Sequence, residues 1–346
     1  MGNLSHHGNR DQTTSLFIGR ASVWRYCLEA MATGGSLKAI VAAMVANGGI
    51  AIAKFIAYLV TGSASMLAES IHSAADTSNQ GLLILGGRRA RKIEDDEHQF
   101  GYGRERYFWA FVVAMVLFAL GGVFSIFEGI EKIRDPHELE SLGWAVGVLI
   151  FGIVLEGFSF RTAIVESKKV KGDRTWWQFI RTSRSPELPV VLLEDAGAQV
   201  GMVLALVGVG LAAWTGNPVW DGIGTLSIGV LLLVIAITLT VEMQSLLIGE
   251  AATDANVRMI KSLVEASPHV NRIIELKTQH IGPEEILVAG KIEFDAALSS
   301  VAISQAIDQI ESDLRQASPL EMRIYIEPDV YDTDYVEPGS GSATRH

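Results

Sequence analysis

The sequence predicts a polytopic α-helical membrane protein with a small extramembrane C-terminal domain. Three observations carry that expectation. The chain is 49% hydrophobic and only 19% charged, with a mean hydropathy of +0.29, whereas soluble domains carry about 25% charged residues. The charges are clustered, leaving long apolar runs between dense polar stretches. Beyond Gly249 the texture changes to short alternating and helical patterns. The net charge of −11 excludes nucleic acid as a partner. The single cysteine, Cys27, excludes an internal disulfide and a cysteine-built zinc site.

A spanning helix needs about 20 mostly apolar residues. Six segments meet that length: Leu37–Val60, Ser65–Leu85, Tyr107–Ile130, Leu142–Ile164, Leu188–Trp214 and Val219–Leu247. The first 36 residues are polar and mixed and lack the apolar core of a cleavable signal, so the first apolar segment is expected to serve as the insertion signal. The loop between the second and third helices holds Arg88, Arg89, Arg91, Lys92, Arg104 and Arg106. The fourth-to-fifth loop holds Lys168, Lys169, Lys171, Arg174, Arg181 and Arg184, while residues 61–64 and 215–218 carry no charge. Basic loops stay on the cytosolic side. Six helices then put both termini in the cytosol, with a bacterial cytoplasmic membrane as the expected setting.

The expected organisation is a cytosolic tail (1–36), a six-helix domain (37–249), a cytosolic domain (250–330) and a flexible end (331–346). In the third of these, 254–267 reads as a helix with Asp254 as its cap. Val270–Thr278 and Ile286–Phe294 read as strands around Gly282-Pro283, Val301–Arg315 as a helix and Arg323–Glu327 as a last strand. The order αββαβ suits a ferredoxin-like or metallochaperone-like open sheet with two helices on one face. From residue 251 on there are 16 acidic and 8 basic residues, so most of the net negative charge belongs to this domain.

Ionisable residues inside a bilayer cost several kcal/mol (roughly 2.5–3.5 on insertion scales) unless paired or hydrated, which makes them functional candidates. The second helix holds Glu69, His72, Asp76, Asn79 and Gln80. His72 and Asp76 are one turn apart on one face, so an imidazole nitrogen and a carboxylate oxygen can share a cation. The fifth helix adds Glu194, Asp195 and Gln199 in an apolar run. Adjacent residues diverge by about 100°, so one of the two carboxylates faces His72 squarely, and Asp195 shares a face with Gln199. One His and carboxylates suit Zn²⁺ and admit Mn²⁺, Fe²⁺ or Co²⁺. Lys54 reads as a carboxylate partner or a snorkelling side chain. Glu94–His98 in the basic loop is a solvated charge run in which Asp95 and His98 form a weaker candidate metal pair. No His-Glu-x-x-His helix is present, which argues against a metalloprotease.

These residues resemble the cation diffusion facilitator family over nearly the whole chain, from about Leu37 to Val330. The most specific piece is Gly62-Ser63-Ala-Ser-Met-Leu-Ala-Glu-Ser-Ile-His72-Ser-Ala-Ala-Asp76-Thr, which resembles the family's segment ending in His-x-x-x-Asp. Phe100-Gly-Tyr-Gly-Arg104 resembles its glycine signature before the third helix. The resemblance implies a homodimeric secondary active transporter, not an enzyme. It would export Zn²⁺ or a similar ion from the cytosol by proton antiport and hold no cofactor besides the transported metal. The alternatives are a Mn²⁺, Fe²⁺ or Co²⁺ carrier and a non-transporting metal sensor.

By the same resemblance His72, Asp76 and Asp195 are ligands, with Glu194 or Gln199 as substitutes for a missing one, or water completing the shell. The family's fifth-helix motif has His or Asp where this chain has Val191. Its loop has histidine where this chain has Tyr102, and its tail ligands correspond to Ile274, Gly290 and Ile326, with His269 and His280 lying elsewhere. The Glu194-Asp195 pair and Tyr325-Ile-Glu-Pro-Asp329 resemble the zinc transporter 9 branch.

Overall fold

The computed structural model describes residues 37–56, 59, 64–136 and 142–332. The expected Cys27 tail, the end of the first helix, loop residues 61–63, Glu138, Glu140 and the Gly/Ser-rich C-terminus lie outside the described residues. The chain divides into two compact units: residues up to 85 with 109–240, and 86–108 with residues from 241 onward.

The first unit is a bundle of long helices: α1 Leu37–Ile56, α2 Ala64–Arg89, α3 Glu105–Arg134, α4 Leu142–Lys171, α6 Glu187–Thr215 and α7 Val219–Ile248. Between α4 and α6 lies a short helix, α5 (Trp176–Thr182), which the basic loop concealed. Thr175 caps α5 by accepting from the Gln178 backbone N–H, and the Gln178 side chain returns a bond to the Thr175 N–H. Among the described residues five helices are long and apolar enough to cross a membrane: α1, α3, α4 (counted from Ala145), α6 and α7. At 26 residues α2 is also long enough, about 39 Å at 1.5 Å per residue, but it is not apolar enough to join that set. It is kept in the bundle by burying polar groups, among them Ser73, Asn79 and Gln80. The outer faces carry exposed apolar side chains such as Ile52, Phe127, Phe158 and Val234, the inverse of a water-soluble surface. These findings establish a polytopic helical membrane protein.

Between lipid-facing helices there is little hydrophobic drive to associate, so close packing through small residues carries the contact. On α3 a Cβ at Gly129 would sit 2.5 Å from the Leu226 backbone N, and one at Gly122 would sit 3.1 Å from the Leu233 backbone. On α7 a Cβ at Gly229 would sit 2.6 Å from the Ile126 backbone N. The paired numbers run in opposite directions, so α3 and α7 are antiparallel with backbones nearly touching. A π-helical turn, Leu117–Val123, interrupts α3 beside this contact. Lys132 closes one end of the seam, 3.2 Å from Asp221 of α7.

In the second unit α8 (Asp254–Glu265), β1 (Val270–Gly282), β2 (Glu285–Phe294), α9 (Ser300–Ala317) and β3 (Glu321–Pro328) form the expected αββαβ order. The sheet runs β1-β2-β3, antiparallel then parallel, the second pairing made possible by the α9 crossover. Ile286, Val288, Ile292 and Phe294 of β2 alternate into a core with Ile260 and Val264 of α8 and Ile310 and Leu314 of α9. Thr253, not Asp254, caps α8, because its hydroxyl is the one that accepts from the Asn256 N–H; Asp254 sits in the first turn. Both strands run further toward the Gly282-Pro283 turn than the alternation suggested.

Replacing Gly129 with leucine is expected to force α3 and α7 apart. A lower melting temperature in detergent and loss of the monodisperse elution peak would show this, with Gly143→Leu, where a Cβ meets nothing within 4 Å, behaving as wild type.

Candidate metal-transport site

Three helices bring carboxylates into the bundle: Asp76 on α2, Glu156 on α4, and Glu194 with Asp195 on α6. His72 occupies the α2 position one turn before Asp76; its side chain, like that of Glu69, lies outside the described residues. Asp76 is half-buried, whereas Asp195 is only 1% exposed. One oxygen of Asp195 accepts from the Ser159 hydroxyl of α4 at 2.7 Å. Its other oxygen, Oδ1, is buried with no hydrogen-bond partner among the described residues. A buried carboxylate oxygen left open is costly, and a cation is one species that would satisfy it.

The neighbouring Glu194 is committed differently. Its Oε1 accepts from the Asn79 side-chain amide at 3.2 Å and its Oε2 from that of Gln80 at 3.0 Å, both on α2. The two adjacent acids of α6 thus point to different helices, as the 100° step between neighbours requires: Glu194 fastens α6 to α2 while Asp195 faces α4. Gln199 is turned to α4 as well, donating to the Ile153 carbonyl at 2.9 Å. Val191, one turn before Asp195, is fully buried and offers no donor atom. Lys54 of α1 donates to the Ser73 hydroxyl of α2 at 3.0 Å.

Glu156 escaped the reading of the sequence. It is 4% exposed, its Oε2 has no hydrogen-bond partner among the described residues, and it lies in electrostatic range of Asp195, Asp76 and Lys54. The available signal was a lone acid in the apolar run of the fourth helix. Among the described residues no three His, Cys, Asp or Glu side chains are already gathered in metal-holding geometry.

The second candidate cluster sits in the α2–α3 loop, within the second unit. Lys92 donates to Asp95 Oδ2 at 2.8 Å and to the Tyr102 hydroxyl at 2.5 Å, and that hydroxyl donates to Asp95 Oδ2 at 2.7 Å. Asp95 Oδ1 accepts from the His98 backbone N–H at 2.8 Å, and the His98 ring stacks on Tyr102 with centroids 4.3 Å apart. An ammonium therefore sits on the carboxylate that the sequence offered to a metal. The Lys92 bond, then those of Tyr102 and the His98 N–H, hold the Asp95 carboxyl well below the usual range. A depressed carboxylate keeps its partners at and above its ordinary pKa and releases them only as pH falls through the lowered value.

The same loop lies on the sheet. Glu94 is ion-paired with Arg323 of β3, Phe100 meets Tyr325 edge-on with centroids 6.4 Å apart, and Arg106 is 3.2 Å from Glu284. Gly103 packs against the β1–β2 turn so closely that a Cβ would sit 2.9 Å from the Gly282 Cα. Gly103 is thus explained by a backbone approach, and Gly101 by its left-handed φ of 76°. In the sheet domain His280 is 1% exposed, its Nδ1 facing the Gly282 carbonyl at 3.2 Å.

The fold and the buried acids define the class as a polytopic helical membrane protein with carboxylates inside its bundle. Residues 40–248 match the family described as the cation efflux transmembrane domain. The mouse proton-coupled zinc antiporter SLC30A9, mitochondrial, is 33% identical over 292 residues, which cover 83% of this chain and 51% of the relative. The Arabidopsis thaliana metal tolerance protein C4 is 28% identical over 265 residues, 76% of this chain and 58% of that protein. The cation-efflux pump FieF of Salmonella newport (strain SL254) is 25% identical over 283 residues, 82% of this chain and 89% of the pump. The chain belongs to the cation diffusion facilitator family, in its zinc transporter 9-like branch. It spans about half the length of the zinc antiporters it matches.

Reversing Arg323 to glutamate is expected to speed amide hydrogen exchange across residues 94–104 about twofold to fivefold, the range an exposed ion pair worth up to about 1 kcal/mol allows. Adding Glu94→Lys in the same chain restores the slower exchange.

Proposed function

We propose that the chain is a secondary active transporter that exports Zn²⁺ from the cytosol in exchange for protons. The observation that carries the reading is Asp195, an acid 1% exposed on an apolar helix with one oxygen uncommitted among the described residues. Family membership supports it, as do relatives whose names describe proton-coupled zinc antiport and cation efflux.

His72, Asp76 and Asp195 are the proposed ligands. Two carboxylates and a neutral imidazole leave a bound dication near electrical neutrality, which lowers the cost of holding it away from water. Metal binds imidazole in its neutral form, so protons arriving from the far side compete with metal at His72 and drive release. Glu194, with both oxygens occupied by Asn79 and Gln80, ties α2 to α6 so that the two ligand-bearing helices move together during alternating access. Asp95 and His98 are read as a surface cluster closed by Lys92.

The basic loops at 88–106 and 168–184 support a reading in which both termini are cytosolic. The relatives named above include both mitochondrial and bacterial proteins, and we assign this chain to a bacterial cytoplasmic membrane. Residues 37–249 form the carrier domain and 250–330 the cytosolic domain of a homodimer, as the family resemblance implies.

Purified protein in proteoliposomes under an imposed pH gradient is expected to move Zn²⁺ in preference to Mn²⁺, Fe²⁺ and Co²⁺. Asp76→Ala and Asp195→Ala are each expected to lower the flux to background while the protein remains folded in the bilayer. Flux of another metal alone would change the substrate assigned here. No flux of any metal with saturable binding retained would mark a sensor, and near-normal flux in either variant would remove that residue from the site.

A further inference from the structure

We propose that Glu156 of α4 is a ligand of the transported cation, completing a site that α2 and α6 leave open. The inference rests on the carrier reading and adds a third helix to it.

The argument begins with the ligand count. On α6 the position one turn before Asp195 belongs to Val191, fully buried and without a donor atom. Glu194 has both oxygens engaged by α2 amides, and Gln199 spends its amide on the Ile153 carbonyl. The α6 face toward the site therefore supplies one carboxylate, Asp195, and α2 supplies Asp76 with His72. Four-coordination, the usual state of a held Zn²⁺, calls for one more donor.

Helix α4 is in the right place to give it. Ser159 bonds Asp195, and Ile153 bonds Gln199, so the turn of α4 that carries Glu156 is packed between two fixed contacts with α6. Glu156 is 4% exposed, and its Oε2 is buried with no hydrogen-bond partner among the described residues. Asp195 Oδ1, in electrostatic range of it, is open in the same sense. Two buried carboxylates in electrostatic range of one another, each with an oxygen lacking a donor, repel unless a proton or a metal cation comes between them, and a dication can bridge both.

Charge balance agrees. Asp76, Asp195 and Glu156 carry three negative charges when ionised, one more than a dication neutralises. Lys54, in electrostatic range of Glu156 and bonded to Ser73 one turn from Asp76 on α2, supplies the remaining positive charge. The three carboxylates, Lys54 and a dication then sum to zero, with Glu194 counted apart because the α2 amides hold it.

The test is Zn²⁺ binding to the detergent-purified full chain by calorimetry, with X-ray absorption at the zinc edge, for wild type, Glu156→Gln and Asp76→Ala. Glu156→Gln is expected to raise the apparent Kd about tenfold or more, the scale on which metal sites respond to lost support, and to change the nitrogen/oxygen shell. Asp76→Ala is expected to lose binding as well. Wild-type affinity and an unchanged shell in Glu156→Gln, with Asp76→Ala impaired, would overturn the proposal and leave Glu156 as a counter-charge for Lys54. Unimpaired binding in both variants would overturn the underlying site. Should Glu156→Gln fail to fold, the wild type decides by dicyclohexylcarbodiimide labelling followed by peptide mass analysis. Zn²⁺ protection of the Glu156 peptide supports the assignment, and labelling indifferent to Zn²⁺ overturns it.

Discussion

The cost of keeping carboxylates inside an apolar bundle is the constraint on which this structure depends. Glu194, Asp195 and Glu156 are all nearly inaccessible to solvent, and none has a basic residue bonded directly to it among the described hydrogen bonds. The protein meets that cost with neutral dipoles. Two carboxamides from α2 grip Glu194, and one hydroxyl from α4 grips Asp195. Neutral donors stabilise an ionised acid less than a cation does, and that is useful to a carrier. A full salt bridge would engage Asp195 more strongly, whereas the Ser159 hydroxyl leaves Oδ1 without a hydrogen-bond partner among the described residues.

The same arrangement explains why so polar a helix as α2 belongs to the bundle. Its hydropathy alone does not qualify it to cross a membrane, yet Ser73, Asn79 and Gln80 are buried and bonded across to α1 or α6. The polar face of α2 is paired inward, so its cost to the bilayer is cancelled by partners supplied from helices far away in sequence. The seam between α3 and α7 works by the opposite means. There Gly122, Gly129 and Gly229 let backbones nearly touch, and Lys132 adds a polar link to Asp221 and Thr225 at one end. One side of the bundle is thus joined by polar side-chain links, and the other mainly by close packing of backbones.

What could be read from the residues follows this division. The helix spans were legible from the length of their apolar runs, and the αββαβ order from the period that burial imposes on the sequence, which survives without knowledge of neighbours. The α5 helix was hidden because its two tryptophans lie among arginines and lysines, and its capping box was the signal that was passed over. The cap of α8 was misplaced by one residue because Thr253 and Asp254 both suit the role, and only the backbone geometry separates them. In the site, candidates that come in pairs at helical spacing were visible. Glu156 was not, because it stands alone on its helix and gains meaning only from Asp195, which the fold brings to it. The commitments of Glu194 and Gln199 were equally out of reach, since their partners are set by how α2, α4 and α6 face one another.

The loop between α2 and α3 shows the limit of reading a motif by its letters. The acids and the histidine at 94–98 suggest a metal pair, but the tyrosine at 102 changes the chemistry of the pocket they form. A phenol is a poor ligand at neutral pH and a good hydrogen-bond donor. It donates to Asp95 while accepting from Lys92, and the lysine in turn lies over its ring at 4.2 Å. A side-chain ammonium then serves as the cation that this carboxylate needs, always present and independent of metal supply. With Asp95 satisfied in that way, Gly103 can seat the loop backbone on the β1–β2 turn, and Glu94 and Phe100 meet Arg323 and Tyr325 on the last strand. The shape of the loop is fixed by covalently attached charge, so its contact with the sheet domain does not depend on how much metal the cell contains. In the bundle, by contrast, Glu156 Oε2 and Asp195 Oδ1 have no hydrogen-bond partner among the described residues.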